Sequence, residues 1–247
     1  MKRKSFLGLA AGLVIAPKSW AESNHLVYEN NDLDLISWNS LRSIFPLKHD
    51  RIFLNNGTMG ITPYPVINAV QKSLTHIAEN ASYPHHDHEL EKKLAEIIGC
   101  DFKEIGITKN VSEGINHIAW GVPLKKGDEV LMTTHEHVGG CAAWLQRARL
   151  EGIVIKTIPL DPSNEEILQR ISDNINNKTR VIAVPHIPCT IGQVLPVKEI
   201  CALARDKGII SCIDGAHPLG MIELNLKDID CDYYAGCFHK WMLGPIG

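Results

Sequence analysis

The sequence has no excess of either charge. Its 25 Lys and Arg stand against 28 Asp and Glu, a formal net charge of −3, which argues against a nucleic-acid binder held by phosphate attraction and against a disordered acidic tail. No apolar run is long enough to cross a bilayer as a helix. The longest, residues 6–17, falls well short of the roughly 20 residues a span needs. The seven cysteines form no CxxC pair and have no zinc-like spacing, so neither a structural metal site nor a dithiol redox motif is indicated. Most of them sit among apolar neighbours, as Cys212 does between Ser211 and Ile213, and read as small buried hydrophobes rather than as disulfide partners. There is no internal repeat and no low-complexity linker. What remains is a composition that is 45% hydrophobic and 21% charged, ordinary for a soluble globular chain and unlike collagenous or disulfide-scaffold sequences.

The amino terminus has its own pattern. Lys2, Arg3 and Lys4 precede the apolar run, and Ser19-Trp20-Ala21 follows it with small residues where a signal peptidase reads, so residues 1–21 are expected to be a signal peptide. Arg3-Lys4-Ser5-Phe6-Leu7 resembles a twin-arginine export signal with Lys in place of the second Arg. An exported, periplasmic or secreted protein is expected, with a cytoplasmic one as the alternative, and with no membrane attachment once the leader is removed. Residues 22–50 read as an amino-terminal arm. Within it Leu35, Trp38, Leu41 and Phe45 recur at helical spacing over 32–47.

From residue 51 onward the pattern alternates. Helices are expected over 63–79, 87–98, 112–120, 139–150, 164–172 and 196–207. Strands are expected over 104–108, 129–133, 153–158, 180–185, 209–213 and 232–235, each short, apolar and followed by polar or glycine-rich residues. Strands that are apolar throughout and alternate with helices imply an α/β fold, a mostly parallel sheet covered by helices on both faces. His85-His86-Asp87-His88 reads as solvated or capping groups at a helix start rather than as metal ligands.

In such a sheet ligands bind beyond the carboxyl ends of the strands, and the residues there are unusually polar. They include Lys109 to Ser112, His135-Glu136-His137, His186 to Thr190, Asp214-Gly215-Ala216-His217 and Gly236 to Lys240. Pyridoxal 5'-phosphate would need a lysine for its aldehyde, an anion for its ring nitrogen, a phosphate site and a flat group over its ring. Lys240, Asp214, the helix start at Val111 and Ser112, and His137 are candidates for those tasks in turn. His239 could donate to a phosphate oxygen and His217 could reach the ring hydroxyl. Taken singly, each has a plainer reading as a cap, turn or solvated side chain. The set is what carries weight.

Through these residues the chain resembles the class V aminotransferases, pyridoxal-phosphate enzymes of fold type I, and within them the isopenicillin N epimerase-like branch. The resemblance covers residues 38–247. It is carried by Asn55-Asn56-Gly57-Thr58-Met59-Gly60, by Thr108 to Gly114, by Gly127-Asp128-Glu129-Val130-Leu131 with Glu136-His137, by Leu195-Pro196-Val197, by Asp214-Gly215-Ala216-His217, and by His239-Lys240-Trp241-Met242-Leu243-Gly244-Pro245.

The resemblance implies that residues 51–247 are the large, cofactor-binding domain of a fold type I transferase. It implies Lys240 as the Schiff-base lysine, Asp214 as the pyridinium partner, His137 as the stacking group, Val111 and Ser112 as phosphate contacts and His217 near the ring hydroxyl. It further implies an amino acid, a small molecule, as substrate, a homodimer in the full-length form, and a smaller carboxyl-terminal domain, about 150 residues in family members, that is missing here. A cysteine desulfurase or carbon–sulfur lyase of the same fold is the alternative activity, and a non-catalytic remnant the alternative to an enzyme. Two departures stand out. Cys237 occupies a position where the family places a hydroxyl phosphate ligand, and a thiol is the weaker donor. Pro188 and Cys189 replace hydroxyl or aromatic residues, with Thr190 still available as a contact.

Overall fold

The computed structural model describes residues 38–48, 50–83 and 88–246, so the leader, most of the arm and His85, His86 and Asp87 lie outside the described residues. The chain divides into two units, residues 1–41 and 42–247, and everything below concerns the second. Its helices are α1 (Trp38–Ser43, at the boundary), α2 (Tyr64–Asn80), α3 (Glu89–Ile98), α4 (Val111–Gly121), α5 (Val138–Glu151), α6 (Asn164–Asn174), α7 (Val197–Asp206) and α8 (Leu226–Ile229). Its strands are β1 (Glu129–Thr133), β2 (Val154–Ile158), β3 (Thr179–Pro185), β4 (Ile210–Gly215) and β5 (Tyr233–Gly236).

All neighbouring strands pair in parallel, in the order β2-β1-β3-β4-β5. Successive side chains of one strand point to opposite faces, and both faces are filled here. Leu131, Ile182, Val184 and Ile213 pack with Ile167, Ile171, Ile200 and Ala204 of α6 and α7. Val130, Met132, Val181, Ala183 and Cys212 pack with Ile115, Ala119, Ala143 and Trp144 of α4 and α5. That two-sided burial is why the strands read as unbroken apolar runs. The chain leaves β1 for β2 on one side and returns to β3 on the other. The crevice at such a reversal is where open α/β sheets bind ligands, and it is framed here by the loops following β1 and β3.

Residues 104–108 do not form the expected strand. Phe102–Glu104 is a 3₁₀ turn closed by a capping box between Asp101 and Glu104, and Ile105 continues in extended conformation. A strand exists only by pairing, and the edge of β5 lies across a cavity of about 750 Å³ lined by Ile105, Gly106, Ile107 and Thr108 on one side and Tyr234 and Gly236 on the other. Helix α2 has the expected amphipathic spacing, yet none of its residues is buried and Leu74 is 62% exposed. All seven cysteines are free thiols. Among the described residues no helix is long and apolar enough to cross a membrane.

One charged group is structural. Arg147 on α5 is buried. It donates to the carbonyl oxygens of Ala119 and of Val122, the latter at 2.8 Å, and pairs with Glu151 at 2.6 Å. The carbonyls at the end of α4 have no partner within the helix, so the guanidinium supplies it. Arg147→Met is expected to lower stability by about 2–4 kcal/mol, measured as a fall in urea midpoint. A loss below about 0.5 kcal/mol would mean water satisfies those carbonyls instead.

Candidate active site

The site assembles from loops at the carboxyl ends of β1, β3, β4 and β5. Asp214 is the fifth residue of β4, in register with Pro185 of β3, and only 8% exposed. Its Oδ1 accepts the Ala216 N–H at 2.9 Å. Burial pushes its carboxyl up, and the Ala216 N–H, Lys240 and His137 act against that rise. A narrow cleft beside it is lined by His135, His137, Cys189, Ala216, His217 and Lys240. Four of the sequence candidates, His137, Asp214, His217 and Lys240, therefore share one opening.

Helix α5 begins beside this cleft with glycines at its second and third positions, Gly139 and Gly140. His137 caps the helix, its Nδ1 accepting the Gly139 N–H at 3.0 Å. A Cβ built on Gly139 would lie 2.1 Å from Ser112 Oγ and 3.2 Å from His137 Nδ1, and one on Gly140 would lie 2.8 Å from Asp214 Oδ2. Bare backbone is needed at both positions for Ser112, His137 and Asp214 to approach. Gly140→Ala is expected to weaken binding of pyridoxal phosphate about tenfold or more, since the methyl group must displace a buried carboxylate. Absorbance titration measures this. Unchanged affinity would show that Asp214 can move aside.

Helix α4 starts at Val111, one residue before the sequence reading placed it. Asn110 is its cap, with Oδ1 accepting the Glu113 N–H at 2.9 Å. Gly114 N–H returns to Asn110 O. This leaves the N–H groups of Val111 and Ser112 at the positive end of the helix as donors for an anion. The Val111 side chain itself belongs to the core.

Lys240 follows β5. Its Nζ lies 3.3 Å from His217 Nε2, and Trp241 Nε1–H donates to His217 Nδ1 at 3.3 Å. Burial, then the charges of Lys240 and His137, push the His217 imidazole down to about 4. The Asn55–Gly60 motif packs against this loop: Gly60 N–H donates to His239 O at 2.7 Å, and a Cβ on Gly60 would lie 2.0 Å from Lys240 O.

His239 lines the larger, apolar cavity beside Lys109 and Asn110, next to the start of α4. Cys237 is buried and its thiol donates to Ala216 O at 3.3 Å, so it braces the β4 loop. Thr190 meets His135, Oγ1 to Nδ1, at 2.9 Å. That contact joins the loops after β1 and β3 across the topological reversal. The larger of these two cavities is thus mostly apolar, and the polar groups converge in the narrow cleft.

Glu136 belongs to the site and carried no role in the sequence reading. Its Oε1 accepts from Thr133 N and Thr133 Oγ1 at 3.0 and 2.7 Å. Burial raises its carboxyl to about 7, the Thr133 hydrogen bonds act against the rise, and Asp214 adds to it. Between about 4.5 and about 7 the unfolded chain sheds this proton while the folded chain keeps it, so stability falls as pH rises through that window and stays lower above it. Glu136→Gln is expected to raise stability by about 1–3 kcal/mol at pH 8 and to have no such effect at pH 4, read by urea denaturation at both values. A gain equal at the two pH values would assign the effect to packing.

The chain belongs to the aminotransferase class-V family, whose model matches residues 52–247. It is 32% identical over 216 residues to a protein of Methanothermobacter thermautotrophicus named "Probable cysteine desulfurase", covering 84% of this chain and 54% of that one. It is 30% identical over 221 residues to the isopenicillin N epimerase of Streptomyces clavuligerus, covering 85% of this chain and 55% of that one. A solved structure of a C-DES mutant with glycine covalently linked to its PLP cofactor superposes with a TM-score of 0.74 at 28% identity, over 83% of this chain and 57% of that chain. The chain spans about half the length of the relatives it matches.

The side chains present fit pyridoxal 5'-phosphate. A primary amine, a buried carboxyl held open on one side by Gly140, an imidazole at a helix cap and two helix-start N–H groups are grouped around the same crevice.

Proposed function

We propose that this chain carries the cofactor site of a pyridoxal 5'-phosphate-dependent enzyme acting at the α-carbon of an amino acid. The observation that carries the reading is the meeting of Lys240, buried Asp214, His137 and His217 in one cleft at the sheet's topological reversal. The cofactor, when bound, supplies an electron sink for the bond that breaks at that carbon. Asp214 holds a proton on the ring nitrogen, an opposite charge at short range favouring the protonated form. His137 covers one ring face and excludes water from it. The N–H groups of Val111 and Ser112 hold the phosphate, and His217 is the group near the ring hydroxyl. Lys240 Nζ would hold the cofactor at its aldehyde carbon, and once the substrate amine has taken over that bond the freed Nζ would move the α-proton as general base and acid.

Within this class, epimerisation or transamination and cysteine desulfuration are supported about equally by the relatives, two of which are named for epimerase and desulfurase activity. Cys189, an exposed thiol lining the cleft, favours testing sulfur chemistry beside α-proton chemistry. Export of the protein and assembly into a homodimer belong to the same proposal.

The test is to add pyridoxal phosphate to the purified chain, reduce with borohydride and locate the modified peptide by mass spectrometry. A stable adduct on Lys240 is expected. An adduct only on other lysines would sink the reading. Amino acids are then screened for α-proton exchange and L-cysteine for sulfide release, which separates the two activities.

A further inference from the structure

We propose that the exposed turn at residues 189–192 is a gate over the cleft, latched by the contact of Thr190 with His135, and that it must swing out before a ring-sized ligand reaches Asp214 and Lys240. Pyridoxal phosphate as that ligand rests on the cofactor reading above, while the gate itself is argued from the fold alone.

The first observation is how little room there is. The cleft has a volume of about 10 Å³, enough for about one water molecule and far too little for an aromatic ring. The second is where room can be made. The floor is fixed: Asp214 belongs to β4, its carbonyl oxygen accepts the His186 N–H at 2.9 Å and its Oδ1 accepts the Ala216 N–H. The start of α5 is wedged between Ser112 and Asp214, where a Cβ on Gly139 would lie 2.1 Å from Ser112 Oγ and one on Gly140 would lie 2.8 Å from Asp214 Oδ2. The Lys240 segment is gripped by the Gly60 N–H, which donates to His239 O at 2.7 Å.

The turn after β3 is held differently. Cys189, Thr190, Ile191 and Gly192 are all exposed. Its backbone bonds are internal, the N–H groups of Ile191 and Gly192 both donating to Pro188 O, at 3.3 and 2.9 Å. A Cβ on Gly192 would meet nothing within 4 Å. The far end is anchored, by the Leu195 N–H to His186 O at 2.9 Å and by Gln193 Nε2 to Asp161 O at 2.9 Å, so motion is confined to the tip. The tip meets the opposite wall through Thr190 Oγ1 and His135 Nδ1, 2.9 Å apart, and among the described residues that is its one hydrogen bond across the cleft. A hydrogen bond of this kind contributes modestly, enough to bias the turn toward closure and weak enough to release it.

The experiment follows pyridoxal phosphate entering the full chain by stopped-flow absorbance. In Thr190→Val, which keeps the shape and loses the hydroxyl, association is expected to be about twofold to tenfold faster, because the open fraction rises by the factor that one hydrogen bond was worth. Thr190→Ser, which keeps the hydroxyl, should stay within about twofold of the wild type. His135→Phe should also speed association, and adding Thr190→Val to it should bring no further gain, since the latch is already absent. A second readout needs no cofactor. Reductive alkylation of Lys240 with benzaldehyde is compared with the same reaction using formaldehyde, read by peptide mass spectrometry. Thr190→Val is expected to raise the benzaldehyde-to-formaldehyde ratio about twofold to tenfold, because only the larger aldehyde needs the gate open. An unchanged ratio in a folded Thr190→Val chain, or unchanged association in one that binds the cofactor, overturns the proposal, as does an equal gain when His135→Phe is already present. Failure of pyridoxal phosphate to bind, with the ratio still raised, overturns the cofactor reading and leaves the gate in place.

Discussion

Lys240→Ala is expected to abolish the borohydride-stable cofactor adduct and to reduce α-proton exchange by about 10³-fold or more, the range lost when a positioned general base and nucleophile are removed together. The cofactor should still bind, more weakly, because Asp214, His137 and the start of α4 do not depend on the lysine side chain. The position is held by backbone: Gly60 N–H grips His239 O, and Gly244 N–H reaches Phe238 O at 2.8 Å. Loss of the amine should therefore leave thermal stability near that of the wild type. Lys240→Arg gives the sharper comparison, since it keeps a cation near Asp214 while removing a nucleophile that can lose its proton. Exchange within about tenfold of wild type in either variant would remove Lys240 from the chemistry.

Asp214→Asn is expected to act in opposite directions on function and on stability. A neutral amide cannot hold the ring nitrogen in its protonated form. A carboxylate at such a position shifts its partner by about one to three pH units, so exchange should fall about 10- to 10³-fold. The cofactor-free chain should meanwhile become more stable. Burial raises the Asp214 carboxyl in the folded chain, so above the ordinary aspartate range the unfolded chain loses its proton more readily than the folded one, and stability declines as pH rises. Asparagine removes that penalty, and its Oδ1 can still accept the Ala216 N–H. The gain is expected on the order of 1 kcal/mol at pH 7 and should vanish near pH 3. Urea midpoints at the two pH values measure it. A variant less stable at both would show that the carboxylate is satisfied in the folded chain, and the charge argument would fail.

The pairing of these effects is what a ligand-binding carboxylate should show. Held ready in a buried position, it strains the free protein and is relieved when a cation arrives.

Much of the fold was legible because its causes are local or periodic. Parallel strands buried on both faces must be apolar throughout, so β1, β3 and β4 were readable as short unbroken runs between amphipathic helices. Helix ends followed from nearby residues: Ser163 accepting from Glu166 N–H at 3.3 Å, Gly99 and Gly152 at positive φ ending α3 and α5. The convergence of Lys240, Asp214, His137 and His217 was legible because each stands at or just past the carboxyl end of a strand, and all strands of a parallel sheet end on the same side.

Other features depended on partners far away in the chain. Residues 104–108 have strand composition, but among the described residues they pair with no strand. The donation of the Cys237 thiol to the Ala216 carbonyl and the place of His239 beside Lys109 and Asn110 join segments that lie far apart in the chain. Glu136 and Arg147 looked like ordinary charges until burial raised the carboxyl of one and turned the other into a helix cap.

The sequence by itself determined which residues could do chemistry and at which end of the sheet they would gather, since residue type and periodicity are written along the chain. Only the tertiary structure decided which of them meet and which are structural. Burial and the approach of a glycine backbone to a carboxylate are set by atoms brought together from distant segments.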